Sequence, residues 1–443
     1  MNGSTATSAT APLASSSSMD QDCAVKTAVE ASEANDPVLR MNSIDLAAFA
    51  NDGYEIRFLD EQVGKGVFAT RKFSKGDLVL VDSPIVTCQF AWNKQYKYRA
   101  CEYCLRALET AEQNVRRLTQ NQTLELPHPE CCETKTELHV KCDKCPAEYC
   151  SEDCRKKAFE EYHKVLCYCG EEPQEPVRIL DEYWRKIHYP PETGNVWLLV
   201  KLLARLHLDS SNTIAKRLSE FCHSTTNDDE ELAHKSLGEE FSVHIHNLRE
   251  LVVNVVNYPN VQQWLTPDGF LKLFVLIGRN AQGVGTSSFA TYVEQLEKLE
   301  LHPNEKKALL DHIDNIYEVI DAVVGHFLDN EGVALYPIQS WVNHSCVPNC
   351  EVKFPNKNHV VGLVASRDIE AGEEIEISYL DLADMQRSRY SRNKYLKEHY
   401  LFECKCPKCM EQIDDEEITT DEEDEDEDMS DAEAEEDDEE MNN

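Results

Sequence analysis

Cys404-Lys-Cys406-Pro-Lys-Cys409 places three thiols within one short run, and Asn343-His344-Ser345-Cys346-Val347-Pro348-Asn349, about sixty residues upstream, offers a fourth. A Cys-x-Cys-x-x-Cys run is too short for three separate disulfide arms, yet it readily wraps three thiolates around one ion. Tetrahedral zinc then takes a fourth ligand. Cys346 supplies it only if the chain returns to Asn343 and His344, so a metal would clamp the C-terminal segment over those two side chains. Tyr379, Tyr400 and Phe402 thereby become candidates for lining the same cleft.

A second array consists of Cys101-x-x-Cys104, Cys142-x-x-Cys145, Cys150-x-x-x-Cys154 and His163-x-x-x-Cys167. Eight ligands at that spacing imply two further zinc sites. Seven cysteines here and four in the first array account for 11 of the 18, leaving Cys23, Cys88, Cys131, Cys132, Cys169, Cys222 and Cys350 unassigned. Cys131, Cys132, His128 and His139 are candidates for an extra site in the long gap after Cys104, although an ordinary loop is the favoured expectation there.

The Asn-His-Ser-Cys-x-Pro-Asn block, Glu373-Glu374-Ile375-Glu376-Ile377-Ser378-Tyr379 and the Cys-rich run after it resemble a SET domain with its post-SET zinc site. The eight-ligand array, with Tyr149-Cys150-Ser151 before its third pair, resembles the MYND zinc finger. A MYND finger inserted in a SET domain is the layout of the SET-and-MYND (SMYD) methyltransferases. Within that family the chain is most similar to the fifth member type, because it ends soon after the post-SET cysteines and closes on an acidic run. The resemblance implies interleaved zinc sites, Cys101, Cys104, Cys150 and Cys154 on one ion and Cys142, Cys145, His163 and Cys167 on the other. The post-SET site of Cys346, Cys404, Cys406 and Cys409 brings the expected zinc ions to three. It also implies an α+β fold with a β-rich SET core in which the chain threads through a loop of its own, a pseudoknot that departs from the usual unthreaded connections.

Elements must hold these groups in place. Residues 1–50 read as a disordered leader, Ser-rich at Ser15–Ser18, and residues 51–380 as a SET domain split by insertions. Tyr54–Phe58, Gly66–Ala69, Leu78–Val81, Val333–Tyr336, His359–Ser366 and Glu374–Tyr379 carry the β-branched, aromatic or alternating pattern of short strands. The finger occupies 101–167 with a long internal loop at 105–141 that exceeds the usual spacing. Residues 180–328 read as a helical insertion: Thr193 is placed to cap a helix bearing Val196, Leu199, Val200, Leu203 and Leu206, and another follows Pro303 with Leu309, Ile313, Ile316, Ile320 and Val324 on one face. Residues 381–410 form the post-SET segment and 411–443 a disordered acidic tail.

The net charge is −38, of which the 21 acidic residues of 411–443, with no Lys or Arg among them, contribute −21. The tail is too polar to fold alone. Even without it the body is acidic, which argues against duplex DNA as the ligand and favours a Lys-rich polypeptide. Arg155, Lys156, Lys157 and Lys164 are weak evidence for nucleic acid. Arg387, Arg389, Arg392, Lys394 and Lys397 read as a solvated helix face or a contact for the tail. No apolar run approaches the ~20 residues of a membrane span, and the N-terminus lacks the basic start and apolar core of a signal peptide. Eighteen cysteines then suit zinc in a reducing compartment, cytosolic or nuclear.

The resemblance further implies S-adenosylmethionine as methyl donor and a protein lysine as acceptor. Cofactor contact is expected from Lys65 and Gly66 in Gly64-Lys65-Gly66, from Asn343, His344, Tyr379 and Phe402, and from Asn280, for which a helix C-terminal role is an equal reading. Tyr379 and Tyr400 are the expected catalytic, channel-lining hydroxyls, while Tyr336 and Trp341 are better read as core. The free lysine amine has a pKa near ~10.4, so burial beside a sulfonium must lower it. Histone tails of H3 and H4 are the substrates implied by the family, ribosomal or other Lys-rich proteins fit the acidic body equally well, and trimethylation is the weakly favoured product. The finger either staples its own segment or docks a Pro-rich peptide. Competing readings are a non-catalytic adaptor and an acidic chaperone for basic proteins. Monomer is the default oligomeric state.

Overall fold

Short β-branched and aromatic runs punctuated by Gly, Pro and Asp favour small strands. The computed structural model describes residues 51–415 apart from 61–62, 171, 188–194, 222–240, 326–328 and 401. The expected leader, nearly all of the acidic tail and Thr193 lie outside the described residues. β1 (Tyr54–Asp60), β2 (Gly64–Ala69), β3 (Leu78–Asp82) and β4 (Val86–Gln89) come first. β5 (Val140–Lys141) and β6 (Glu148–Tyr149) form a hairpin in the cysteine-rich segment, and β7 (Ala281–Thr286) follows several helices. β8 (Asn330–Leu335), β9 (Asn343–His344), β10 (Cys350–Lys353), β11 (Val361–Ala365) and β12 (Glu376–Ile377) complete the strands among the described residues.

The sheets are stitched from both ends of the chain. β11 pairs antiparallel with β10 on one side and β3 on the other, while β8 lies between β4 and β7. Residues 78–89 therefore complete sheets whose other strands lie more than 190 residues later in sequence, a closure the large insertion makes entropically costly but only logarithmically so. Gly332 permits the close approach of β8 to β4, since a Cβ there would lie 2.3 Å from the carbonyl oxygen of Cys88. Tyr54, Ile56, Val67, Phe73, Leu80, Trp341, Leu363, Ile369, Ile375 and Ile377 fill one apolar core between these strands. β9 and β12 run parallel, pairing Asn343 with Glu376 and His344 with Ile377. That pairing carries the Asn-His-Ser-Cys segment onto Glu373–Tyr379.

Five helices matter for the site. α1 (Ala111–Leu118) lies inside the 105–141 gap, started by a reciprocal capping box of Thr110 and Gln113. α2 (Val196–Leu208) buries Val196, Leu199, Val200, Leu203 and Leu206 as their spacing predicts, but its N-cap is Asn195, whose Oδ1 accepts from Trp197 N and Leu198 N. α3 (Pro267–Asn280) ends at Asn280, and α4 (Pro303–Val324) buries Ile313, Ile316 and Ile320. α5 (Arg389–Tyr400) precedes the last cysteines.

Three segments add detail to the expected pattern. The mainly helical 180–328 segment also contains one strand, β7, because Ala281–Thr286 satisfies its backbone on β8. Of the strand expected over Glu374–Tyr379, only Glu376–Ile377 pairs as one, since the chain turns away to meet His344. The long gap makes no extra metal site among the described residues. Cys131 is buried with Val115, Phe289 and Ile313, His128 Nδ1 pairs with Glu130, and Cys132 faces the Thr134 hydroxyl. The apolar residues of α1 and α4 account for that gap as a packed layer.

Candidate active site

Three sets of four ligand atoms come together, each within 4.8 Å of one another: Cys101, Cys104, Cys150, Cys154; Cys142, Cys145, His163, Cys167; and Cys346, Cys404, Cys406, Cys409. Zn–S bonds of about 2.3 Å require tetrahedral sulfur edges of about 3.8 Å. Cys104 and Cys150 sulfurs lie 3.6 Å apart, Cys142 and Cys167 3.9 Å, and Cys346 and Cys409 3.7 Å, so the donor sets fit zinc and none is a disulfide. Local structure explains the placement. The β5–β6 turn presents Cys142 and Cys145, Ser151 Oγ caps the following helix at Cys154 N, and a π-helical turn at Phe159–His163 swings His163 inward.

Around the third set, the groups singled out in the sequence converge. Asn343 Nδ2 donates to Lys65 O at 3.1 Å and to Glu374 Oε1 at 2.7 Å. Both amide hydrogens are thus engaged, and the group Asn343 still offers is its carbonyl oxygen. Gly66 sits where a Cβ would meet Glu374 Oε1 at 2.7 Å, so the absence of a side chain lets that backbone pack closely against the same carboxylate. Lys65 Nζ donates to Glu220 O at 2.5 Å and lies 4.3 Å from the centre of the Trp341 ring.

His344 joins the third cysteine set to the aromatic wall. Its Nδ1 accepts from Tyr379 N at 3.0 Å, so the neutral ring carries its proton on Nε2, 3.3 Å from Cys346 Sγ. Burial pushes His344 down to about 4 and keeps that ring neutral. The Tyr379 ring lies 4.8 Å from Tyr400 and 6.2 Å from Phe402, edge to face with the latter, and its hydroxyl donates to Val342 O at 2.8 Å. Asn280 is the buried last residue of α3, its amide donating to Leu276 O, while its neighbour Arg279 reaches Tyr400 O at 2.8 Å. Tyr336 is core, its hydroxyl held by His359 O, and Trp341 donates from Nε1 to Glu220 O.

The sequence pattern gave no signal for Glu374, Glu220 or Arg392 as parts of this assembly. The basic cluster before the last cysteines is not a uniformly solvated face: Arg387 pairs with Asp384, Arg389 with Glu403, and Arg392 is buried. Burial and the neighbouring Glu374 raise Glu376, the β12 partner of Asn343, to about 7.

A SET domain model matches residues 64–380. The protein-lysine N-trimethyltransferase SMYD5 of Gallus gallus is 46% identical over 372 residues, covering 83% of this chain and 89% of that protein. The chain belongs to the SMYD family of SET-domain protein-lysine methyltransferases. SMYD5 of Homo sapiens is 45% identical over 382 residues, covering 86% of this chain and 91% of its own length. By contrast the histone-lysine N-methyltransferase SMYD3 of Homo sapiens is 28% identical over 293 residues, 54% of its length. The similarity to the fifth member type, expected from the residues, extends over most of this SMYD chain. S-adenosylmethionine is the methyl donor of SET methyltransferases, and the three clusters suit three zinc ions. Among the described residues no helix is long and apolar enough to cross a membrane.

Proposed function

We propose that this SMYD chain trimethylates lysines of basic proteins, with histone tails and ribosomal proteins as the substrate class, in a reducing cytosolic or nuclear compartment. The observation that carries the reading is the junction at Asn343–His344. One residue ties down the Lys65–Gly66 backbone and its neighbour ties down Tyr379, so the cofactor strand and the aromatic wall meet at consecutive positions. When bound, S-adenosylmethionine supplies an electrophilic methyl group on a positive sulfonium. Asn343 Oδ1 is the acceptor suited to its ammonium end, and the half-exposed Phe402 ring supplies an apolar face suited to its adenine. The role of the protein is otherwise orientation and exclusion of water. Tyr379, Tyr400 and Phe402 form an aromatic wall that desolvates a lysine amine, favouring its neutral, nucleophilic form. The Tyr379 hydroxyl, fixed by donating to Val342 O, keeps its oxygen as the negative dipole end suited to stabilise a transferring methyl. The trimethylated product is favoured by the names of the relatives that match over most of the chain.

The net charge of −38 supports a Lys-rich substrate and weighs against DNA. A Pro-rich peptide at the finger and a monomeric state complete the proposal. The test is radiolabelled methyl transfer to core histones and to a salt-washed ribosomal protein fraction, by the zinc-loaded chain and its Tyr379→Phe variant. Label on a defined lysine, lost in the variant, is the expected result. Cofactor binding without label in either fraction would move the substrate outside this class, and absence of both would favour the adaptor reading.

A further inference from the structure

Arg392 is 1% exposed, and a buried guanidinium requires a counter-charge. Among the described residues no carboxylate forms an ion pair with it. Its Nη2 donates to Cys409 Sγ at 3.5 Å and to Gln412 Oε1 at 2.8 Å, its Nη1 donates to Arg387 O at 2.5 Å, and its Nε is buried without an acceptor. The next residue on α5 grips the same cluster: Asn393 Nδ2 lies 3.8 Å from Cys409 Sγ, and its Oδ1 accepts from Cys404 N at 2.6 Å. Four thiolates around one Zn²⁺ leave a net charge of −2 on the centre. A single guanidinium on a ligand sulfur halves that charge and favours the thiolate over the thiol, which favours the metal-bound form.

The dependence runs in both directions. If the metal leaves, Arg392 loses the charged centre against which it is buried, which disfavours the present packing of α5. α5 ends at Tyr400, which lies 4.8 Å from Tyr379. We propose that Arg392 is the built-in counter-charge of the Cys346–Cys404–Cys406–Cys409 zinc centre, and that through α5 it makes the Tyr400 wall of the cofactor cleft depend on zinc. This rests on the reading of those four cysteines as a zinc site.

The experiment measures zinc release from the intact, zinc-loaded chain to a chromogenic chelator, with S-adenosylhomocysteine affinity followed by calorimetry. Arg392→Met fills a similar volume without charge, and Arg392→Lys restores the charge without the fork of donors. Wild type should yield three equivalents. Arg392→Met should release one of them about tenfold faster or more, the other two unchanged, with Arg392→Lys between the two. Cofactor-product affinity should fall in step with loss of that equivalent. Release of all three from Arg392→Met at the wild-type rate would overturn the proposal and leave the zinc reading standing, since the side chain would then merely fill space. Two equivalents in wild type would overturn both. Should Arg392→Met not fold, Arg392→Gln, which keeps a side-chain donor without the charge, decides: a release rate equal to wild type rejects the counter-charge.

Discussion

The side-chain amide of Asn343 donates to the main-chain oxygen of Lys65 at 3.1 Å, joining segments 278 residues apart. The same nitrogen binds Glu374, which packs against Gly66. Three stretches separated by insertions therefore share one hydrogen-bonded point. Asn343→Ala should weaken S-adenosylhomocysteine binding by about 1–3 kcal/mol, roughly fivefold or more, as buried polar partners lose their donor. Calorimetry checks it, and an unchanged dissociation constant would remove Asn343 from the cofactor site. Gly66→Ala should show a similar loss, because the added methyl collides with the Glu374 carboxylate.

Tyr379→Phe removes only the hydroxyl that donates to Val342 O. The stability loss should be about 1 kcal/mol, the ordinary value of one neutral hydrogen bond. Methyl transfer should slow by about a hundredfold, if the lost dipole acts on the reacting methyl as a preorganised donor does elsewhere. Single-turnover kinetics with saturating cofactor separates the two effects; a full-speed variant would leave Tyr379 a packing residue.

Lys201 on α2 lies 2.5 Å from Glu102 Oε1 and 4.8 Å from the centre of the Tyr162 ring, tying the first cysteine pair to the helical layer. Lys201→Met should destabilise the chain by about 3 kcal/mol, near the lower end for a broken buried pair because Glu102 keeps partial contact with water. In denaturant titrations the double variant with Glu102→Gln should recover part of that loss. If the two single effects simply add, the pair is not coupled.

Burial raises Glu331 and Glu376 to about 7 each, with Asp329 and Glu374 respectively adding repulsion. Both values exceed the unfolded carboxylate value of about 4.3, so the native state binds these protons more tightly. Their contribution to stability is therefore full below about pH 4.3, declines as pH rises towards about 7, and changes little above that. Over this window the melting temperature of Glu376→Gln should lose less than that of wild type. Parallel melting curves across pH would show that Glu376 ionises freely.

The zinc ligands are legible because most come in pairs or runs that lie close in sequence. Cys-x-x-Cys and Cys-x-Cys spacings need only a local turn to present two sulfurs, so residue type and separation suffice. The same holds for α2 and α4, whose buried residues follow the 3.6-residue period. Arg392 was misread for the converse reason. A basic residue among other basic residues normally faces water, and nothing within its own helix reveals Cys409 and Gln412 on the far side. β7 escaped notice because its pairing partner, β8, begins 44 residues after it, and Gly283 and Gly285 weaken any strand pattern.

The sequence alone determined the ligand residues from their types and short spacings, and, through the resemblance to SET and MYND segments, their grouping, the family and hence the class of chemistry. Only the tertiary structure decided that Asn343 meets Lys65 and Glu374, that His344 bridges Cys346 and Tyr379, and that one buried arginine faces a thiolate cluster. Apart from the His344–Cys346 contact, those contacts join positions tens to hundreds of residues apart, or depend on which face of a helix the core covers. Hydrogen bonds and buried charges are satisfied by whatever neighbour the fold supplies, and spacing along the chain carries no record of that neighbour.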